Sequence, residues 1–357
     1  MKKFKPFLKV AAWIIGGIVL YLVGVILYGT ITEYKPEPET SEVVEIKGKA
    51  TASEKMDSVL NLMTWNIGYG GLGKEMDFFY DGGKAVRAPR EIWDKDFKGI
   101  CELMTANDSI DFFLIQEIDR DSRRSYEVDM YREVNHILKG YSASFGLNYD
   151  VNFVPVPYTH PMGKVYGGVA TYSKYQPAEA LRYQYPGHFP WPTRIFFLDR
   201  CFLEQRYPLA NGKELVLLNT HNSAYDESGE IKDGEMQYLR KFVDAEYAKG
   251  NYVIVGGDWN QCPPNFKNDK FKPKSGYDGF MPPSMSFDYA SEGWIWPYDP
   301  DVPTNRHVET PLDDNTFRTL IDFFLISPNV ELLKIKTINN GFDFSDHQPV
   351  VMQVRLR

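Results

Sequence analysis

Cysteine is scarce in this chain. Cys101, Cys201 and Cys262 are the only three in 357 residues, and no two stand in C-x-x-C spacing. That argues against a zinc cluster or a disulfide framework; one pair could bridge outside the cytoplasm, but the sequence does not choose it. The signatures G-x-S-x-G and H-E-x-x-H are missing, and no G-x-G-x-x-G lies between a strand and a helix with an acid to follow. The nucleophile elbow, the zinc-protease helix and the dinucleotide-binding turn therefore have no support. No internal repeat is present. Positive charge is also in short supply, with 40 Lys and Arg against 48 Asp and Glu, a net charge of −8. Residues 1–40 hold five Lys and three Glu, which leaves −10 on the rest. Such a balance gives no general support to tight, sequence-independent nucleic-acid binding. It stays compatible with a metal-dependent phosphodiester enzyme, whose cation supplies local positive charge.

An apolar fraction of 43% with 15% aromatics is ample for a substantial core. One end is unusual, because Lys9 and Glu33 bracket 23 consecutive uncharged residues. As a helix rising about 1.5 Å per residue, this run crosses a hydrocarbon layer of roughly 30 Å. Lys2, Lys3, Lys5 and Lys9 precede it, while Glu33, Glu37 and Glu39 follow. By the positive-inside rule, a single-pass membrane protein is expected, with a cytoplasmic N-terminus and an extracytoplasmic body. The run exceeds the roughly 7 to 15 residues of a signal-peptide core and no A-x-A-like site follows, so an uncleaved anchor is expected. The predicted organisation is an anchor over 1–32, a polar Pro- and Lys/Glu-containing linker over 33–58 with at most one short strand, and one catalytic domain over 59–357.

Within that domain, short β-rich runs recur: SVLNLMTW, DFFLIQE, YGGVATYS, RIFFLDRCFL, ELVLLNTH, NYVIVGGD, LIDFFLIS, LLKIKTI and PVVMQVRL. Helical patterns lie between them in EIWDKDFKGICELMTAN, SYEVDMYREVNHILKG and GEMQYLRKFVDAEYAKG. Several strands are apolar enough to be covered on both faces, which predicts an α/β protein with two packed sheets flanked by helices. Residues 263–315 have weak periodicity; so long an irregular stretch inside a domain is usually functional or mobile.

Several strands end on a polar residue: Asn66, Glu117, His221, Asp258 with Asn260, Asp322, and the pair Asp346 and His347 beyond a later run. Such endings hand side chains to the rim of a sheet, where loops form a cleft. Singly, each has an ordinary reading as a turn or solvated residue, although Asp322, between Ile321 and Phe323, needs a partner if buried. Jointly they match metal-assisted phosphodiester hydrolysis. Mg²⁺ takes one or two carboxylates and keeps several waters, which suits Glu117 and the Asn66 carbonyl oxygen. Histidines and amides can accept a proton from water and stabilise charge on phosphoryl oxygens. Gly68 to Lys74 spells G-x-x-x-x-G-K, the start of a P-loop, but Glu75 stands where Ser or Thr must follow and no convincing helix begins there.

The ordered set WN, QE, NTH, GGDWN, LIDFFLIS and SDHQP resembles the endonuclease/exonuclease/phosphatase superfamily, which includes deoxyribonuclease I, apurinic endonucleases, bacterial sphingomyelinases and inositol polyphosphate phosphatases. The resemblance runs from about Val59 to the C-terminus. It implies a four-layer α/β/β/α sandwich of the deoxyribonuclease I type. It further implies that Asn66 and Glu117 hold the metal with Asp346 as a further metal-side acid, and that Asp258 orients the attacking water. Asn260 would contact the phosphate, His347 would be the general base and His221 would bind or polarise the phosphate. Asp322 would orient one of the two histidines. Members often add a mid-domain Tyr or Arg; Tyr149, Tyr158 and His160 offer no clear choice here. Trp259 replaces the commoner Phe or Leu, and Cys262 reads as a bystander.

The expected activity is a membrane-anchored, Mg²⁺-dependent phosphoesterase, with Mn²⁺ or Ca²⁺ as alternatives. Its expected substrate is a nucleic acid or a phospholipid head group. The rivals are a sphingomyelinase- or phospholipase C-like lipid phosphodiesterase and a non-catalytic surface module on the same fold. A monomer is expected, and no protein partner is implied.

Overall fold

Apolar runs become strands and runs with helical period become helices in the computed structural model of the chain, which describes residues 4–50, 56–224, 226, 228–277 and 279–357. In chain order the elements are α1 Phe4–Ile31, β1 Ser41–Val43, β2 Ile46–Lys47, β3 Val59–Asn66, α2 Arg90–Ala106, β4 Phe112–Asp119, α3 Met130–Ile137, β5 Ser142–Val154, β6 Gly163–Ser173, β7 Glu179–Gln184, β8 Cys201–Pro208, β9 Glu214–His221, α4 Glu230–Ala248, β10 Tyr252–Asp258, β11 Asn305–Arg306, β12 Arg318–Thr319, β13 Asp322–Ile326, β14 Val330–Thr337 and β15 Val350–Leu356. They form a six-stranded sheet in the order β1-β7-β8-β9-β10-β13 and a seven-stranded sheet in the order β14-β15-β3-β4-β6-β5-β2, with β11 and β12 as a separate ladder.

The period-two placement of side chains explains the layers. On β3 and β4, Leu60, Leu62, Phe112 and Leu114 point inward and meet Leu215, Leu217, Ile254 and Phe324 of the other sheet. Their neighbours Met63, Trp65, Phe113 and Ile115 point outward onto Trp93, Ile100 and Met104 of α2 and Val134 of α3. In the six-stranded sheet, Val216, Leu218, Val253 and Val255 pack on Met236, Leu239 and Val243 of α4. Both faces of the central strands are thus covered, which is why they read as continuous apolar runs, and the result is the four-layer α/β/β/α sandwich. Each such buried side chain contributes about 1.5–3 kcal/mol.

The structure departs from the sequence reading in three places. The segment 33–58 is not simply a linker: β1 adds to the edge of one sheet through β7 and β2 to the edge of the other through β5. Strands this short carry no side-chain pattern; their backbone hydrogen bonds hold them. Residues 51–55 of that segment, like Lys2 and Lys3 before the anchor, lie outside the described residues. Second, β5 and β7 were not expected: Ser, Gly and Asn interrupt the apolar alternation of β5, and Glu179, Arg182 and Gln184 break up the six residues of β7. Third, RIFFLDRCFL is two structures, a short 3₁₀ turn over Thr193–Phe196 and the start of β8 at Cys201. All three cysteines are free thiols.

Helix α1 stands apart from the core. Its stretch Phe7–Ile31 is long and apolar enough to cross a membrane, and Trp13, Leu20 and Ile31 are exposed on it.

Candidate functional site

Strand register builds the first row of the site. Parallel pairing of β9 with β10 sets Asp258 beside His221, and antiparallel pairing of β10 with β13 sets Asp258 beside Asp322. The two glycines before Asp258 make this packing possible. A Cβ on Gly257 would lie 2.0 Å from the Thr220 carbonyl oxygen, and one on Gly256 would lie 2.5 Å from the Phe324 ring. His221 Nε2 then stands 3.5 Å from Asp258 Oδ2.

The facing sheet supplies the second row. Asn66 closes β3, and its Nδ2 donates to Glu117 Oε1 at 3.2 Å and to Asp258 Oδ2 at 3.0 Å. The register of β4 against β6 shifts between Ile115 and Ile118, and Glu117 sits in that bulge with a φ of 52°. A left-handed conformation at a non-glycine residue costs on the order of 1–3 kcal/mol, and here it turns the carboxylate out of the sheet into the cleft. Asn260, with φ 50°, donates its backbone N–H to Asp258 Oδ1 at 2.9 Å and its Nδ2 to the Asn222 carbonyl at 2.9 Å.

The Ser345–His347 loop comes last and is pinned to β3. Ser345 Oγ donates to the Asn66 carbonyl at 2.9 Å and Trp65 Nε1 to the His347 carbonyl at 3.0 Å. This aims the imidazole across to the other sheet, where His347 Nδ1 lies 2.8 Å from Asp322 Oδ2. Asp322 therefore partners His347 rather than His221. On the cleft side, Asn305 Nδ2 is 3.0 Å from His347 Nε2. With Nδ1–H given to Asp322, the neutral ring has Nε2 as its acceptor on the cleft side, the tautomer a general base requires.

Electrostatics separate the two histidines. Burial, followed by the charge of Arg200, pushes His221 well below the usual imidazole value, so it is neutral near pH 7. Burial pulls His347 the same way, but Asp322, Asp346 and Asp258 outweigh it and raise the imidazole. Burial also raises Asp322. Asp346 is pushed up to about 7 by burial, with Glu117 adding to the effect.

Glu117, His221, Asp258, Asn260, Asn305, Asp346 and His347 line a cleft of about 180 Å³, with Asn66 and Asp322 supporting them from behind. The cleft also contains cations that sequence reasoning missed. Arg200 reaches it just before β8, and its buried Nη1 has no hydrogen-bond partner among the described residues. Arg124 lines it while paired through Nε and Nη2 with Asp119, each at 3.0 Å. Arg306, from the irregular stretch after β10, donates to the carbonyls of Leu72, Gly73 and Met76. Buried Lys232 completes the set. Only the arginine sought at mid-domain had any sequence signal, and the single-strand reading of RIFFLDRCFL hid it.

Other singled-out residues lie elsewhere. Tyr149 lines the cleft but gives its hydroxyl to the Phe196 carbonyl at 3.0 Å, whereas Tyr158 is exposed and His160 borders a separate hollow. Lys74 pairs with Asp343 at 2.5 Å outside the cleft. Trp259 stacks on Phe323 in the core, and the Cys262 thiol meets Thr319 at 3.4 Å.

Two groups of ligand atoms bear on a cation. Among the described residues, Asp258, Asp322 and His347 bring ligand atoms within 4.8 Å of one another, but Asp322 Oδ2 already serves His347. Glu117 and Asp346 face the cleft as a second, all-oxygen set, the donor chemistry Mg²⁺ prefers. Burial and the neighbouring Glu117 raise Asp346 against the lowering charges of His347 and Arg306, and two cleft-facing carboxylates of this kind fit a divalent cation. The Asn66 side-chain oxygen expected to join them accepts the Gly68 N–H at 3.0 Å; the Asn66 amide instead braces two carboxylates.

A sequence model of the Endonuclease/Exonuclease/phosphatase family matches residues 63–347, from within β3 to His347 itself. No curated protein matches the chain. Solved structures share its fold. An endonuclease/exonuclease/phosphatase from Bacteroides vulgatus is 15% identical with a TM-score of 0.55, over 84% of this chain and 100% of its own. ANGEL2, a 2′,3′-cyclic phosphatase in complex with adenosine-2′,3′-vanadate, is 15% identical with a TM-score of 0.55, over 90% of this chain and 99% of its own. D. rerio TDP2, complexed with single strand DNA product, is 13% identical with a TM-score of 0.50, over 84% of this chain and 100% of its own. Identities this low carry the fold alone.

Proposed function

The chain belongs to the endonuclease/exonuclease/phosphatase family, and from that premise we propose that it is a divalent-metal-dependent phosphoesterase, held by α1 in a membrane with its body outside the cytoplasm. The observation that carries the reading is the His347–Asp322 pair, 2.8 Å apart, with His347 in a cleft shared by Asp258, Glu117 and Arg200, whose Nη1 has no hydrogen-bond partner among the described residues.

Neutral His347 accepts a proton at Nε2 from the attacking water, while Asp322 fixes the ring through Nδ1. Asp258 orients that water. The water oxygen bonds to phosphorus in line with the departing ester oxygen, which leaves as an alcohol. Neutral His221, Asn260 and the Arg200 guanidinium face the phosphoryl oxygens and stabilise their growing charge. Glu117, braced by Asn66, and Asp346 would hold Mg²⁺, Mn²⁺ or Ca²⁺, which when bound polarises the phosphoryl group and offsets the acids that otherwise keep His347 protonated.

One observation favours an anionic phosphoester substrate. A hollow of about 350 Å³ beside the cleft, sharing Arg124 and Met162 with it, is lined by Lys84, Arg87, Arg123 and His160 and, among the described residues, by no carboxylate. This local charge runs against the acidic average of the chain.

The test is hydrolysis of bis(p-nitrophenyl) phosphate by the full chain in detergent. Turnover with Mg²⁺ that EDTA abolishes is expected. If Mg²⁺, Mn²⁺ and Ca²⁺ all fail with this diester and with p-nitrophenyl phosphate, a non-catalytic surface module takes its place.

A further inference from the structure

The segment between β7 and β8 does two things. Its middle is clasped to the end of α1: Trp191 Nε1 donates to Thr30 Oγ1 at 3.1 Å, and Arg194 Nε donates to Glu33 Oε1 at 2.8 Å. Gly29 packs so closely there that a Cβ would lie 3.0 Å from Ile195 Cδ1. The end of the segment walls the catalytic cleft with Phe197, Leu198 and Arg200. One residue, Phe196, separates the clasp from the wall, and Tyr149 of the cleft holds its carbonyl.

Depth follows from these contacts. Two residues of chain span at most about 7 Å, so the cleft wall lies within about that distance of the segment packed on Gly29. The 25 residues Phe7–Ile31 rise about 37 Å as a helix, past a hydrocarbon layer of about 30 Å and into a head-group layer some 5–7 Å thick. Gly29 and Thr30 belong to that outer turn. The following chain adds no slack, because β1 and β2 are paired into the two sheets. Trp191 is 53% exposed beside the helix end, where an indole suits a membrane–water interface.

We propose that the 187–198 segment seats the cleft wall in the lipid head-group layer, and that the substrate is a phosphoester carried by a lipid of that same leaflet. This rests on the reading of the chain as a membrane-spanning phosphoesterase.

The test uses the full chain in vesicles of phosphatidylethanolamine, phosphatidylglycerol and phosphatidylcholine with Mg²⁺. Head-group release is followed by phosphorus NMR, and bis(p-nitrophenyl) phosphate turnover is measured on the same vesicles. Ten Gly/Ser residues inserted between Ile31 and Thr32 span roughly 17 Å and release the body from the surface. The insertion should cut lipid turnover at least about tenfold and leave diester turnover unchanged; a Trp191→Ala, Arg194→Ala variant should move in the same direction. Equal lipid turnover with and without the insertion overturns the proposal. So does cleavage of plasmid DNA with no release from any of the three lipids. Loss of diester turnover by the unmodified chain would instead sink the phosphoesterase reading and take this proposal with it.

Discussion

His347 Nδ1 and Asp322 Oδ2, 2.8 Å apart, join the two sheets of the sandwich, because Asp322 opens β13 of one sheet and His347 precedes β15 of the other. The base and its positioning acid are thus in place only when the sheets pack. A residue pair that acts as a unit should be non-additive on removal. Asp322→Ala and His347→Ala should each lower kcat, by about 10² to 10⁴ for the histidine, and the double variant should be no slower than His347→Ala. Additive losses in steady-state kinetics would separate the two residues.

Arg200 is expected to act on substrate rather than on the fold, since its buried Nη1 has no hydrogen-bond partner among the described residues. Charge-assisted hydrogen bonds contribute about 1.5–3 kcal/mol, so Arg200→Ala should lower kcat/KM about 10- to 100-fold. Thermal unfolding should be unaltered. A large fall in Tm would make Arg200 structural.

Asn66 braces Glu117 and Asp258 through one amide. Asn66→Ala frees both carboxylates, and loss of such outer support typically costs about 10- to 100-fold in metal affinity. The Mg²⁺ concentration for half-maximal activity should rise by that factor, with Glu117→Gln at least as severe. An unchanged Mg²⁺ titration would contradict this role.

Glu246 ends α4 in a clamp with Arg206, Lys249 and Asn251. Burial alone would raise its carboxyl, but those hydrogen bonds outweigh burial and lower it from 4.5 to about 2. A depressed folded-state value means that its contribution to stability is complete above about 4.5 and is lost as pH falls from there to about 2. Glu246→Gln should flatten that part of the stability profile, read as urea midpoints at pH 6 and pH 3. An identical fall in both proteins would assign the acid sensitivity elsewhere.

How much of this was legible in the sequence depends on what each feature rests on. Asn66, His221 and Asp258 stood out because continuous apolar strands stop at them, and Asp322 because it is a lone acid in an apolar run, where it opens β13 rather than ending a strand; strand register then sets the last three in one row. The partner of Asp322 was not legible, since nothing local records that the Ser345–His347 loop is pinned to β3 by Asn66 and Trp65. Arg306 and Asn305 were hidden in a stretch without periodicity, where position comes from backbone carbonyl contacts rather than pattern. The two short edge strands at 41–47 were invisible for a similar reason: their few side chains are exposed or half-buried, and backbone pairing rather than an apolar pattern places them.

The most direct measurement compares wild type and His347→Ala, both as full chain in detergent with saturating Mg²⁺, in hydrolysis of bis(p-nitrophenyl) phosphate, with circular dichroism as the check on folding. Wild-type turnover and a loss of about 10² to 10⁴ in the folded variant are predicted. Equal rates in the two proteins would contradict His347 as the base.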